Sequence, residues 1–204
     1  MSNDSSPIIL AFSGGLDTSF CVPWLKEEFG REIITATVDT GGIDARAAQM
    51  LEEKSRALGA IEHVLIDAKQ AFFDTVIRYL VAGNVLRGQL YPLCVGAERG
   101  LQAAELARFA TERGSSTVAH GCTAAGNDQV RFEVALRTLN PGLDILAPVR
   151  DPDWVREEQL RSLEGGDLRL RARGSDGART RGGGGGGWGG GGGGRAGGGG
   201  GGGG

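Results

Sequence analysis

Residues 13–19 (SGGLDTS) combine two glycines, three hydroxyls and a carboxylate in a pattern suited to binding an anion. The glycines allow a tight turn and close approach of the backbone to a ligand. The segment lacks the lysine of a Walker A loop and is not a GxGxxG sequence. It therefore predicts a phosphate or pyrophosphate cradle, and argues against γ-phosphoryl transfer of the kinase type. The alternative is a structural turn in which Asp17 only caps a helix.

Residues 120–133 (HGCTAAGNDQVRFE) place short polar groups between two glycines and follow them with an arginine. Thr123, Asn127 and Asp128 are suited to orienting the amine and carboxylate of an amino acid, and Arg131 can clamp a carboxylate with two hydrogen bonds. Asp128 can also cap the next helix. A plain capped helix with a surface arginine is the alternative, and this segment alone does not decide between the two.

Apolar strands alternate with amphipathic helices around both segments, and this predicts a doubly wound α/β fold with a parallel sheet. Ligands of such sheets bind beyond the carboxyl ends of the strands, where both polar segments would lie. The predicted strands are 7–12, 32–38, 63–66, 117–120 and 144–146. The predicted helices are 17–29, 44–58, 69–81, 98–113 and 128–139, with a further helical stretch at 154–163.

The first segment resembles the pyrophosphate loop, SGGxDS/TS, of the ATP pyrophosphatases, a group with a Rossmann-like fold of the HUP type. The second resembles HGxTxxGNDQVRFE of argininosuccinate synthase, and WLKE at 24–27 agrees with that family. The resemblance covers residues 8–149. It implies ligation of citrulline and aspartate to argininosuccinate in arginine biosynthesis, with ATP converted to AMP and pyrophosphate. The ureido oxygen of citrulline would attack the α-phosphate, and the aspartate amine would then displace AMP.

The resemblance also assigns roles to individual residues, with ATP and Mg²⁺ as cofactors and no metal site made by the protein alone. Asp17, near Mg²⁺–pyrophosphate, and Asp128 are the implied catalytic residues. The implied ATP contacts are Ala11, Phe12, Ser13, Gly14, Gly15, Leu16, Asp17, Thr18, Ser19, Val38 and Gly121. Aspartate would bind Thr123, Asn127 and Asp128, and citrulline would bind Tyr91, Cys94, Asn127 and Arg131. Family members often carry Ser or Thr where Cys94 stands, and a thiol is a weaker donor than a hydroxyl. His63 and His120 are interpreted as structural.

The composition of the 204 residues limits the possible partners and compartment. With 22 basic and 25 acidic residues, the net charge of −3 does not favour nucleic-acid binding. The polar N-terminus and the lack of a long apolar run predict neither a signal peptide nor a membrane span. Three widely spaced cysteines without a CxxC pair indicate neither a zinc site nor a disulfide framework. We therefore expect a cytoplasmic protein.

Glycine fills 20 of the last 23 positions, 182–204, and the remaining 18 glycines are spread over 181 residues. We expect the folded unit to span 1–163 and a disordered Arg/Gly-rich tail to span 164–204. The family's second domain, which supports a homotetramer, is expected to be absent. An ATP-binding half-enzyme without turnover is therefore one alternative. A tRNA thiolation enzyme and an RNA-binding tail are less favoured, because residues 1–150 carry 14 basic and 18 acidic groups and the tail has few aromatics.

Overall fold

The computed structural model describes residues 5–87, 91–123 and 128–150, which form a parallel sheet with helices on both faces. The strands are β1 (Ile8–Ala11), β2 (Ile33–Asp39), β3 (Glu62–Asp67), β4 (Leu86–Arg87), β5 (Tyr91–Pro92), β6 (Thr117–His120) and β7 (Asp144–Leu146). The helices are α1 (Leu16–Phe29), α2 (Ala45–Ala57), α3 (Lys69–Phe72), α4 (Arg78–Ala82), α5 (Cys94–Glu112) and α6 (Asp128–Leu139). The main sheet has the order β3-β2-β1-β6-β7, and all of its pairs are parallel. The predicted doubly wound architecture is therefore confirmed.

The ends of the first two helices follow from local sequence signals. Gly30 adopts a left-handed conformation (φ +60°) directly after α1, and Gly59 does so (φ +100°) shortly after α2. The Asp44 carboxylate accepts a hydrogen bond from the Ala47 amide at 2.7 Å, as an N-cap should. The predicted bounds of α1, α2 and α6 agree with the structure to within one or two residues.

Two apolar clusters lie on opposite faces of the sheet, as alternation along β1 requires. Ile8 and Leu10 point into the cluster beneath α1, together with Phe20 and Leu25 of that helix. Ile9 points into the cluster beneath α5 and α6. That second cluster contains Ala103, Leu106, Phe109 and Ala110 of α5 and Phe132 and Leu136 of α6. Both faces of the central strands are therefore buried, which explains their uninterrupted apolar sequences.

The structure departs from the predictions at the β3 edge and along residues 69–100. The edge strand β3 is only partly covered, and Leu65 is 37 % exposed. The predicted helix 69–81 contains a π-helical turn at Phe73–Ile77 between α3 and α4. Helix α5 begins at Cys94, four residues before the predicted start, and its added first turn includes Gly96, a residue of low helix propensity. The hairpin of β4 and β5 was not predicted, since two-residue strands leave no readable alternation.

Parts of the sequence predictions lie outside the described residues. These are the helical stretch 154–163, the end of the folded unit near residue 163 and the tail 164–204. Within the described residues, no helix is long and apolar enough to cross a membrane.

Candidate functional site

The two polar segments meet at the centre of the sheet, where β1 and β6 run side by side. Ala11 pairs with His120 at the carboxyl ends of these strands, so the loops that follow leave the sheet as neighbours. Strand order reverses at this point, because β1 connects to β2 on one side and lies beside β6 on the other. This is the switch point at which open α/β sheets bind ligands.

Gly121 packs against the start of α1 so closely that no side chain fits. A Cβ atom at this position would lie 2.8 Å from Thr18 Cγ2 and 3.2 Å from the Thr18 backbone nitrogen. The first contact is closer than Cβ atoms tolerate, and the second involves backbone that cannot swing away. The loop after β6 therefore rests directly on the loop and helix that follow β1.

The loop after β1 has the shape of an anion cradle made largely of backbone. Gly14 adopts φ +71°, and Gly15 precedes α1 without a side-chain cap on the first amides of the helix. The Ser19 hydroxyl donates to the Gly15 carbonyl at 2.7 Å, and Ser13 Oγ lies 3.2 Å from Thr18 Oγ1. The hydroxyls thus fix the shape of the loop, and the first amides and the positive end of the dipole of α1 lie beside it, where an anion could bind.

Asp17 does not cap α1, and the alternative that interpreted it as the N-cap is wrong. The N-cap position is taken by Gly15, and Asp17 lies inside the first turn of the helix. The Asp17 side chain is half-buried beside the loop. The carboxylate is therefore not used to cap the helix.

The neighbouring strand β2 holds the other predicted ATP contacts in place. The Phe12 amide donates to the Ala36 carbonyl at 2.9 Å, and the Thr37 hydroxyl donates to the Phe12 carbonyl. Val38 is buried near the carboxyl end of β2, next to these groups. Residues 11, 12 and 38 therefore lie close together at the carboxyl ends of β1 and β2.

Asp39, the last residue of β2, is a buried carboxylate at the same end of the sheet. The sequence predictions omitted it. It accepts hydrogen bonds from Lys69 Nζ and from the Gly41 amide, both at 2.8 Å. Burial would raise the pKa of Asp39, but these hydrogen bonds and the Lys69 charge hold it below its ordinary value. Asp39 therefore fixes the loop after β2. The signal that could have identified it in the sequence is a single acidic residue at the end of an apolar strand.

His120 anchors the second loop from beneath. It is 1 % exposed, and its Nδ1 accepts a hydrogen bond from the Cys122 amide at 3.2 Å. Its Nε2 lies 3.3 Å from Glu133 Oε1, and Arg150 contacts the same carboxylate oxygen. Burial, and secondarily the charge of Arg150, lower the pKa of His120 to about 4. The imidazole is therefore neutral at physiological pH and supports the loop structurally.

The predicted amino-acid contacts come from different elements. Arg131, in the first turn of α6, packs against Gly96 of α5, where a Cβ atom would lie 3.7 Å from the guanidinium carbon. Cys94, half-buried, begins the same helix, and Thr123 is exposed in the second loop. Arg131 and the start of α5 are thus brought together. For Tyr91 and Asp128 the structure describes only the backbone, and Asn127 lies outside the described residues.

No group of three or more His, Cys, Asp or Glu side chains suited to a metal ion occurs within residues 5–87, 91–123 and 128–150.

The sequence of residues 7–165 matches the family model described as the arginosuccinate synthase N-terminal HUP domain. The chain belongs to the argininosuccinate synthase family. It is 42 % identical to the argininosuccinate synthase of Lactococcus lactis subsp. cremoris strain MG1363 over 153 residues, which are 75 % of this chain and 38 % of that relative. It is 40 % identical to the enzyme of Streptococcus uberis over 157 residues, 77 % of this chain and 38 % of that relative. The chain thus spans less than half the length of these argininosuccinate synthases.

A solved structure shares the fold at a greater distance. It is described as a predicted subunit of tRNA methyltransferase from Methanocaldococcus jannaschii, with a TM-score of 0.53 and 18 % identity over 78 % of this chain and 74 % of that one. At this identity the likeness concerns the fold alone. The tRNA thiolation alternative is not favoured beside the argininosuccinate synthase family match.

Proposed function

We propose that this chain binds ATP and carries out the argininosuccinate synthase reaction, joining citrulline and aspartate with release of AMP and pyrophosphate. The observation that carries the proposal is the contact between Gly121 and Thr18, which joins the pyrophosphate loop to the second loop at the switch point. Family membership supplies the reaction class.

In this proposal the pyrophosphate loop stabilises negative charge as it develops on the departing pyrophosphate. Amides at the start of α1 and the helix dipole supply fixed positive charge, which costs no reorganisation during the reaction. Mg²⁺ usually binds one or two carboxylates together with substrate phosphates, and Asp17 beside the loop fits that pattern. The ion would neutralise phosphate charge, and Asp17 would hold it.

The amino acids would bind across the second loop and the start of α5. Thr123, Asn127 and Asp128 are proposed to bind aspartate, with Asp128 as a catalytic group that orients the amine. Arg131 and Cys94, together with Asn127 and Tyr91, are proposed to bind citrulline. Holding the ureido oxygen in line with the α-phosphate would then supply most of the rate enhancement, without a nucleophile from the protein.

ATP binding without turnover is the second candidate. The phosphate loop rests on the core, but Thr123 and Arg131 on the amino-acid side are exposed in the structure. A site that holds ATP firmly and the amino acids weakly would bind nucleotide and release no pyrophosphate. Assembly as a homotetramer and a cytoplasmic location stay predictions from the family and the sequence.

The test measures ATP binding by isothermal titration and pyrophosphate release with ATP, citrulline and aspartate present. We expect release that depends on citrulline and falls at least tenfold in Arg131→Lys, because lysine cannot form a paired clamp. Arg108→Lys is the control, since within the described residues the ion pairs of Arg108 are with Glu105 and Glu112 along α5. ATP binding without citrulline-dependent release supports the second candidate. Absence of ATP binding contradicts both.

A further inference from the structure

A lysine from another part of the chain reaches the pyrophosphate loop, which has none of its own. Lys54 Nζ, on α2, donates a hydrogen bond to the Gly14 carbonyl at 2.6 Å. Leu51, one turn earlier, packs against Gly14 so closely that a Cβ atom there would lie 2.6 Å from Leu51 Cδ2. Helix α2 therefore contacts the loop with both an apolar side chain and a cation.

The position of Lys54 is fixed by a buried polar contact beneath it. The neighbouring Ser55 is fully buried, and its hydroxyl lies 2.6 Å from that of Thr35, which is fully buried on β2. Thr35 Oγ1 also lies 2.8 Å from His63 Nδ1. These contacts hold the rotation of α2 against the sheet and so direct the Lys54 side chain towards the loop.

The hydrogen bond from Lys54 determines which way the Gly14–Gly15 peptide faces. In a trans peptide the carbonyl oxygen and the following N–H point in opposite directions. With the Gly14 carbonyl turned to Lys54, the Gly15 N–H is turned to the opposite side, where its contact with Ser13 Oγ is a long 3.4 Å. A weakly engaged amide of this kind can bind an anion oxygen at little cost. Gly14, at φ +71°, is the residue that permits this peptide orientation.

We propose that Lys54 is a positioning residue for the pyrophosphate group of ATP. It holds the Gly14–Gly15 peptide so that the Gly15 N–H faces the anion, and it adds positive charge behind the loop. The inference rests on the proposed ATP binding and deepens it, because it assigns a supporting role at this loop to a lysine of α2. The recognised group is pyrophosphate, so the nucleoside should bind independently of Lys54.

The experiment compares the full 204-residue chain with Lys54→Met, Lys54→Arg and Lys26→Met. Lys26 is the matched control, since its Nζ also donates to a backbone carbonyl, that of Gly59, at 3.2 Å. ATP and inorganic pyrophosphate are titrated calorimetrically, and adenosine is titrated by NMR. We expect Lys54→Met to weaken ATP and pyrophosphate binding about tenfold or more, with adenosine changed less than twofold. Lys54→Arg should recover most of the affinity, and Lys26→Met should match the unsubstituted chain.

Two results would overturn the inference while leaving the proposed function intact. One is ATP and pyrophosphate affinity within twofold of the original in Lys54→Met. The other is an equal loss for adenosine and pyrophosphate, which would indicate general disruption of the site. If the unsubstituted chain binds neither ATP nor pyrophosphate, the proposed function itself fails, and the inference fails with it.

Discussion

The proposed phosphate side and the proposed amino-acid side of the candidate site are built in different ways. On the phosphate side, residues 13–19 and Gly121 present mainly backbone groups, and these are set by a positive φ and close contacts with α1 and α2. On the amino-acid side, Thr123 and Arg131 are exposed side chains from separate elements. A backbone site takes its rigidity from the sheet beneath it. A side-chain site depends on how α5 and α6 are placed.

Substitution of Gly121 by valine is the strongest way to break the phosphate side. A Cβ atom would contact the Thr18 side chain and backbone at 2.8 and 3.2 Å, so the loop and the start of α1 must separate. We expect ATP affinity to fall more than about 100-fold and the free energy of unfolding to fall by about 1–3 kcal/mol, as for other overpacked sites. Calorimetric titration and urea denaturation measure the two effects.

Gly100→Ala is the control, because a Cβ at that position in α5 would meet no atom within 4 Å in the described part of the chain, apart from the backbone of its own helix and its chain neighbours. Alanine in a helix interior should leave ATP affinity unchanged and raise stability by about 0.5–1 kcal/mol. Normal ATP affinity in Gly121→Val would show that the two loops are not joined at this contact. It would contradict the description of the phosphate side as a rigid backbone site.

The pH dependence of stability tests whether the second loop is anchored in the core through His120. Burial lowers the pKa of His120 to about 4, against about 6.5 in the unfolded chain. Between these values the unfolded chain binds the proton more readily, so the stabilisation is present above pH 6.5 and is lost as pH falls towards 4. We expect the unsubstituted chain to lose up to about 3 kcal/mol more over this range than His120→Gln.

Urea denaturation at several pH values between 7.5 and 4.5 gives this comparison. His63→Gln is the matched variant, since burial also lowers the pKa of His63 but its ring is only half-buried. It should remove a smaller part of the pH dependence. Parallel pH profiles for the unsubstituted chain and His120→Gln would contradict the buried neutral imidazole.

The loop geometry of the proposed phosphate side was predictable from sequence because its determinants are local. The glycines of the loop and Gly121 indicate where the backbone must turn or approach another segment closely. The loop follows β1 and Gly121 follows β6, and both strands have apolar sequences that are easy to recognise. Parallel strand order then brings the loops together without further information. The alternative in which Asp17 caps α1 is the one that the structure contradicts, because a glycine can occupy the N-cap position without a side-chain bond.

Three features of the candidate site that the sequence did not predict depend on distant contacts. Lys54 lies 40 residues from Gly14 in the chain and reaches it only because Ser55 and Thr35 fix the rotation of α2. The role of Asp39 depends on Lys69, which follows a different strand. The contact of Arg131 with Gly96 requires α5 to begin before the predicted start at residue 98. Such pairings are properties of the packed fold.

Cys94→Ser tests whether the amino-acid side can be changed without affecting the phosphate side, and its expected effect is the smallest of those predicted. Cys94 is half-buried at the start of α5, where the family resemblance implies a hydroxyl, and a hydroxyl is a better donor than a thiol. Serine should tighten citrulline binding about two- to fivefold, equivalent to about 0.4–1 kcal/mol, and leave ATP affinity unchanged. Titration with citrulline at saturating ATP measures this, with Cys122→Ser in the second loop as the control. A change in ATP affinity of similar size would show that the two sides are coupled through α5. The backbone side and the side-chain side would then not be independent.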